Sequence, residues 1–282
     1  QTDEALATAW RQPGLTFDQV SCPQPPLAVN GRYGTFYDPT RDQPFVDYYH
    51  FIKWAPDQIQ NYFSGKLEQA MGKPLLFGRG CMGAYGGDMH SATDLEHFVQ
   101  SEHLDYIMGF ADYRSRLPGY PMKYKYPLTS YILNGKIYMA ETDLRTYNTG
   151  NGCFRRELYG PGYSSKAQTF KVWQVTFRKC MAEVIAQQQA TWVFDIGGAE
   201  YQDEKIQQDI AEVREFYQKL YDGKKNWRPD VVLVHDETSM FWTQVASHRW
   251  MFLPKANNEL IPEIVNRSGV PFDTILFSDL EK

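Results

Sequence analysis

The sequence predicts an α/β protein: half of a (β/α)8 barrel over residues 1–225, followed by the start of a doubly wound α/β domain over residues 226–282. Three observations predict it. Apolar runs and amphipathic segments alternate along the chain in the order β, α, β, loop, β, α, β, α. The apolar runs are continuous rather than alternating, as in parallel strands covered by helices. Polar residues gather where those runs end, at Arg79, Tyr113, Glu141 and Asp195, and the C-terminal ends of parallel strands are where such folds build sites.

Asp3 to Trp10 reads as a helix. Pro13-Gly14 with Pro23, Pro25 and Pro26 then keeps most of the chain irregular as far as residue 46. Asp47 to Met71 reads as a helix whose apolar side is Tyr48, Phe51, Ile52, Ile59, Tyr62, Phe63 and Leu67. Pro56 inside it is expected to kink or split it, and Gly72 suits its C-cap. Leu75 to Arg79 is a short strand leading into the glycines at 80, 83, 86 and 87. Those glycines lack both the P-loop and the dinucleotide-binding spacing, so they are not a phosphate loop. Ser91-x-x-Asp94 reads as a capping-box variant opening a helix through Ser101. Leu104 to Phe110 is a strand running into Asp112-Tyr113-Arg114-Ser115-Arg116, and a loop with Pro118-Gly119 and Pro121 leads on from there.

After the turn pair Asn134-Gly135, the run Ile137 to Ala140 reads as a buried strand that ends in Glu141, Asp143 and Arg145. A loop from Tyr147 to Tyr163 precedes a long helix, Ser165 to Gln188, with the stripe Trp173, Phe177, Cys180, Met181, Val184 and Ile185. Helical spacing makes Trp173 a core residue rather than a binding platform. Thr191 to Ile196 is a strand bearing Asp195. Glu204 to Tyr221 is a helix with Ile206, Ile210, Val213, Tyr217 and Leu220 inward, capped by Gly223. Asp230 to Val234 is a strand ending in His235-Asp236-Glu237-Thr238-Ser239, followed by a helix and a last strand within Val270 to Leu280. The opening on a helix already under way at Gln1, and a last strand with no covering helix, read as a fragment of a longer protein.

The net charge of −5 without a basic cluster argues against nucleic acid and anionic membrane as partners. No apolar run nears the roughly 20 residues that a membrane-spanning helix needs. Cys22, Cys81, Cys153 and Cys180 form no C-x-x-C pair or zinc spacing, and the six histidines show no metal-binding spacing. No metal and no cofactor is expected, and the compartment stays open. His235 to Ser239 is not a hydrolase triad, because no nucleophile sits on a G-x-S-x-G turn.

A buried strand ending in two carboxylates and a guanidinium is costly unless the charges pair or take part in chemistry. Arg145 is placed to pair with Asp143 or Glu141, and Tyr113 to donate to Glu141. A structural ion pair at a strand terminus is the competing reading. Arg79, Arg116 and Asp195 read as polar groups lining a cleft or as solvated and capping groups. His90, before a helix near the glycine loop, is a weaker cleft candidate.

The strings Ser101-Glu102-His103-Leu104-Asp105-Tyr106, Asp112-Tyr113-Arg114-Ser115-Arg116, Leu133-Asn134-Gly135-Lys136 and Glu141-Thr142-Asp143-Leu144-Arg145-Thr146 together resemble the β-galactosidase-like glycoside hydrolases of family 42 and relatives. Trp192-Val193-Phe194-Asp195 with Tyr201 is similar to the last barrel strand of that group. Asp236-Glu237-Thr238-Ser239 and Gly269-Val270-Pro271-Phe272-Asp273 resemble the opening of its second domain, which is like class I glutamine amidotransferases in fold. The resemblance covers the chain from about residue 47 on.

It implies the C-terminal half of a retaining (β/α)8 barrel with Glu141 as catalytic nucleophile at the end of strand seven. The acid/base glutamate, on strand four, would then lie upstream of Gln1. Arg79, Tyr113, Arg116, Asp143, Arg145, Asp195 and His90 become substrate-binding candidates, the partner a carbohydrate, and a homotrimer through the second domain is implied. On that reading the whole protein is a retaining glycosidase and this chain alone is inactive. The alternative is a catalytically silent carbohydrate-binding or oligomer-assembly module.

Overall fold

A computed structural model of the chain describes residues 2–23, 36–80, 94–110, 118–121, 126–149, 167–195, 200–221, 229–242 and 260–282. The glycines from 83 to 87, His90, Ser91, Tyr113, Arg116, the loop beyond Thr149 to residue 166, Gly223 and the expected domain boundary at 225 lie outside these residues.

Six strands are described: β1 (Gly78–Gly80), β2 (Tyr106–Phe110), β3 (Ile137–Thr142), β4 (Ala190–Val193), β5 (Val231–His235) and β6 (Phe272–Leu276). The first four form one sheet in the order β1-β2-β3-β4, with every neighbouring pair parallel. β5 and β6 form a second, two-stranded parallel sheet. The chain is therefore an α/β protein of the parallel kind that its continuous apolar runs predict.

Helices α1 (Asp3–Ala9), α2 (Gln43–Met71), α3 (Leu95–Gln100), α4 (Leu128–Leu133), α5 (Phe170–Ala186), α6 (Glu204–Tyr221), α7 (Glu237–Met240) and α8 (Ile261–Arg267) accompany the strands. A parallel sheet whose strands follow chain order, joined by right-handed crossovers, carries its helices on one face. The register separates the two faces. Ile107 and Tyr138 stand level, and together with Ala140 they join a core made with Leu95 and Phe98 of α3, Tyr131 of α4, Trp173 and Phe177 of α5, and Ile206 of α6. The stripe expected on α5 is buried from Trp173 to Val184, with Ile185 half-buried and the Trp173 and Phe177 rings stacked 4.9 Å apart. Fully burying side chains of this size contributes roughly 1.5–3 kcal/mol each.

Helix ends follow local chemistry. The Thr169 hydroxyl accepts from the Val172 N–H at the start of α5, and the Asp94 carboxylate accepts from the His97 N–H at the start of α3, making Asp94 the cap itself. Gly72 ends α2 in the left-handed region (φ 64°). The Asn134-Gly135 turn has a second identity, because it closes a helix that the sequence pattern does not reveal. The Gly135 N–H returns to the Ile132 carbonyl and the Lys136 N–H to that of Tyr131, a Schellman closure of α4. α2 runs unbroken through Pro56.

The two sheets meet at α4. The Thr274 hydroxyl donates to the Tyr126 carbonyl (2.9 Å) and accepts from the Leu128 N–H (3.0 Å). The Leu276 N–H donates to Ser130 Oγ (2.7 Å), and the Leu276 side chain lies in the same core as Trp173.

Candidate functional site

Glu141 lies near the C-terminal end of β3, in register with Phe110 of β2 and Trp192 of β4. Strand side chains alternate between faces. With Tyr138, Ala140 and Thr142 turned to the helices, Met139 and Glu141 belong to the face opposite the helices of that core. Glu141 is half-buried there.

That face is lined by large soft groups. The Trp192 indole N–H crosses β3 to reach Met108 Sδ at 3.1 Å, and its ring packs on Phe194 with centroids 5.0 Å apart. The Tyr106 ring occupies the space that a side chain at Gly78 would need: a Cβ there would fall 2.0 Å from the ring. The result is a surface of aromatic and thioether groups with the Glu141 carboxylate toward its C-terminal rim. Such a surface can take the apolar face of a ring while the carboxylate meets a hydroxyl or an electrophilic carbon.

The remaining candidates divide. Asp143 follows β3 directly and is buried. Arg145 pairs with Glu200 (3.2 Å), both side chains being less than a tenth exposed. Glu200 is a hub: Thr149 Oγ1 donates to its carboxylate (2.7 Å), Thr146 Oγ1 to its carbonyl (2.9 Å), and its own N–H to the Asp195 carboxylate (3.2 Å). Arg145 and Asp195 thus converge on one residue, tying the segment after β3 to the segment after β4. The Tyr201 hydroxyl adds a bond to the Leu144 carbonyl. Arg79 is turned the other way. It stands level with Ile107 on the helix side and is ion-paired with the buried Asp57 of α2. Glu141 and Arg79 therefore occupy opposite faces of the sheet. Tyr113, Arg116 and His90 lie outside the described residues.

Three residues that organise this region are absent from the candidates that the sequence suggests. Trp192 could have been found from strand period and register with Glu141. Glu200 adjoins Tyr201 but gives no signal of its own. Glu237, read as non-catalytic, is buried at the start of α7. Its Oε2 accepts from the Leu95 (2.7 Å) and Glu96 (3.3 Å) N–H groups of α3, and its Oε1 lies 3.5 Å from Lys53 Nζ. Burial pushes its carboxyl up to about 7, against the pull of Lys53. Among the described residues, no three histidine, cysteine, aspartate or glutamate side chains gather closely enough to hold a metal ion, and no helix is long and apolar enough to cross a membrane.

Compared with protein-family models, curated proteins and solved structures, the chain matches none.

Proposed function

We propose that the chain is the nucleophile-bearing part of a retaining glycosidase that hydrolyses β-galactoside-like O-glycosides, with Glu141 as the attacking carboxylate. The observation that carries this reading is the position of Glu141: a half-buried carboxylate toward the C-terminal end of a parallel strand, on the face opposite the helical core, level with Trp192. In a barrel that face is the interior and that end is the catalytic mouth. The sheet order β1-β2-β3-β4 is the order that a barrel half requires.

On this reading Trp192 supports the apolar face of the sugar ring. Glu141 attacks the anomeric carbon, forming a glycosyl ester as the leaving oxygen takes a proton. Water then cleaves the ester with net retention. The reaction calls for a second carboxyl about 5–5.5 Å from Glu141 as the proton donor. Arg145, held by Glu200, braces the loop that follows the nucleophile.

The test is trapping. A 2-deoxy-2-fluoro-β-galactoside with a good leaving group should label the full-length protein at the peptide containing Glu141, and Glu141→Gln should abolish turnover. A label on another carboxylate, or full activity in the variant, refutes the assignment.

A second reading, a silent carbohydrate-binding or assembly module, is favoured by one observation. Arg79 and Arg145 are both engaged in buried ion pairs rather than left to meet substrate. Galactoside binding by the full-length protein without turnover or trapping would decide for it.

A further inference from the structure

The N-terminal segment and the first turns of α2 enclose a cavity of about 1010 Å3, at the upper end of the size of ligand sites. It shares no residue with the face bearing Glu141. Five aromatic residues line it: Trp10, Phe17, Tyr48, Phe51 and Trp54. Its walls are held in place by hydrogen bonds. The Trp10 indole N–H donates to Asp47 Oδ2 (2.7 Å), and the Gln43 side-chain amide donates to Oδ1 (2.8 Å). The Phe17 N–H donates to Asp3 Oδ1 (2.9 Å), tying the 3-10 turn at Phe17–Gln19 back to α1.

The charge of the lining has one sign. Asp47 and Asp94 contribute carboxylates, and among the described residues no lysine or arginine lines the cavity. The other ionisable side chains of the lining are the Cys22 thiol, the Tyr48 phenol and two imidazoles. Burial holds His50 below the ordinary imidazole range, and its ring packs on Phe241 at 3.8 Å. His97 is fixed by Asp94, with Nδ1 2.8 Å from Oδ2. Phe17, Phe51 and Trp54 remain between 41% and 55% exposed around this hollow, leaving ring surface for a ligand to cover.

We propose that this cavity binds an organic cation, a quaternary ammonium or similarly alkylated amine with an apolar body, seated among the aromatic rings and balanced by Asp47 and Asp94. Aromatic faces carry the negative lobe of the ring quadrupole and attract cations that shed water easily. An anion would meet two carboxylates and no lysine or arginine of the described lining. A neutral apolar compound would gain nothing from the carboxylates. A primary ammonium would lose strong hydration on entering a mostly apolar space.

The experiment titrates the 282-residue chain with choline and with benzyltrimethylammonium, read by tryptophan fluorescence and calorimetry. The control is 3,3-dimethylbutan-1-ol, the neutral carbon isostere of choline. Both cations should bind saturably, and choline at least about tenfold more tightly than its isostere. Trp54→Ala and Asp94→Asn should each weaken cation binding by about tenfold or more. Asparagine keeps the α3 cap and Trp54 is partly exposed, so both variants should fold, as circular dichroism and melting would verify. No saturable binding of either cation, equal affinity for the isostere, or unchanged binding in Trp54→Ala overturns the proposal.

Discussion

A carboxyl group sealed from water beside one ammonium at 3.5 Å resolves its cost through protonation, and Glu237 is such a group. Its ordinary value is 4.5 and burial raises it to about 7. The folded state therefore binds more protons than the unfolded chain between those values. The contribution is fully present below about pH 4.5 and is lost as pH rises through about 7, with a total on the order of 3 kcal/mol. Denaturant unfolding should show stability falling from pH 5 to pH 8, and Glu237→Gln should flatten that slope. An equal slope in the variant would assign the effect to other groups. At this scale the sequence showed the position of Glu141, because a short apolar run ending in charge is a local pattern. It did not show the partner of Arg145, because Glu200 lies 55 positions later and no local period links them.

Among the elements, α2 beyond its first turns reverses the usual arrangement of an amphipathic helix. Phe51, Ile59, Tyr62, Phe63 and Leu67, named from the sequence as its apolar side, are each at least half exposed. Its first turns do bury Phe45, Val46 and Tyr49 against Tyr37 and Phe241, but from Lys53 on the inward side is polar: Lys53 meets Glu237, Asp57 meets Arg79 and the Asp94 N–H, Gln60 donates to the Gly78 carbonyl, and Asn61 accepts from Ser101. Substitution should follow that inversion. The triple variant Ile59→Lys, Phe63→Glu, Leu67→Lys should keep stability within about 0.5 kcal/mol per site and lessen self-association in light scattering. Asp57→Ala, which removes the buried carboxylate engaged by both Arg79 and the Asp94 N–H, should cost about 3–5 kcal/mol in urea unfolding. The opposite ranking would mean that the inward and outward faces are exchanged. The orientation was illegible because each inward partner comes from a different part of the chain. By contrast, α5 and α6 were legible since their stripes meet an apolar core, and the bounds of α6 agree with its periodic pattern, although Leu220, expected inward, is exposed near its end. α4 escaped notice because six residues hold too few turns to show a period.

For the whole molecule, the sheet order and the parallel sense were readable from alternation alone, while the docking of the β5-β6 sheet on α4 was not. A doubly wound second unit would be expected to melt independently, yet Leu276 sits in the core of the four-stranded sheet. Leu276→Ala should destabilise by about 2–5 kcal/mol. It should shift one transition, seen alike by tryptophan fluorescence and circular dichroism. A second, separate transition that alone responds to the substitution would show two independent units.

The strand order also bears on how the protein is made. Because each strand of the larger sheet lies beside the one synthesised before it, pairing can proceed as the chain leaves the ribosome, with closure distances of some tens of residues at each step. The carboxylate of Glu237 arrives 142 positions after the Leu95 amide it accepts from. Until then Asp94 caps the α3 terminus, so the sheet strands can pair before Glu237 locks them to α3.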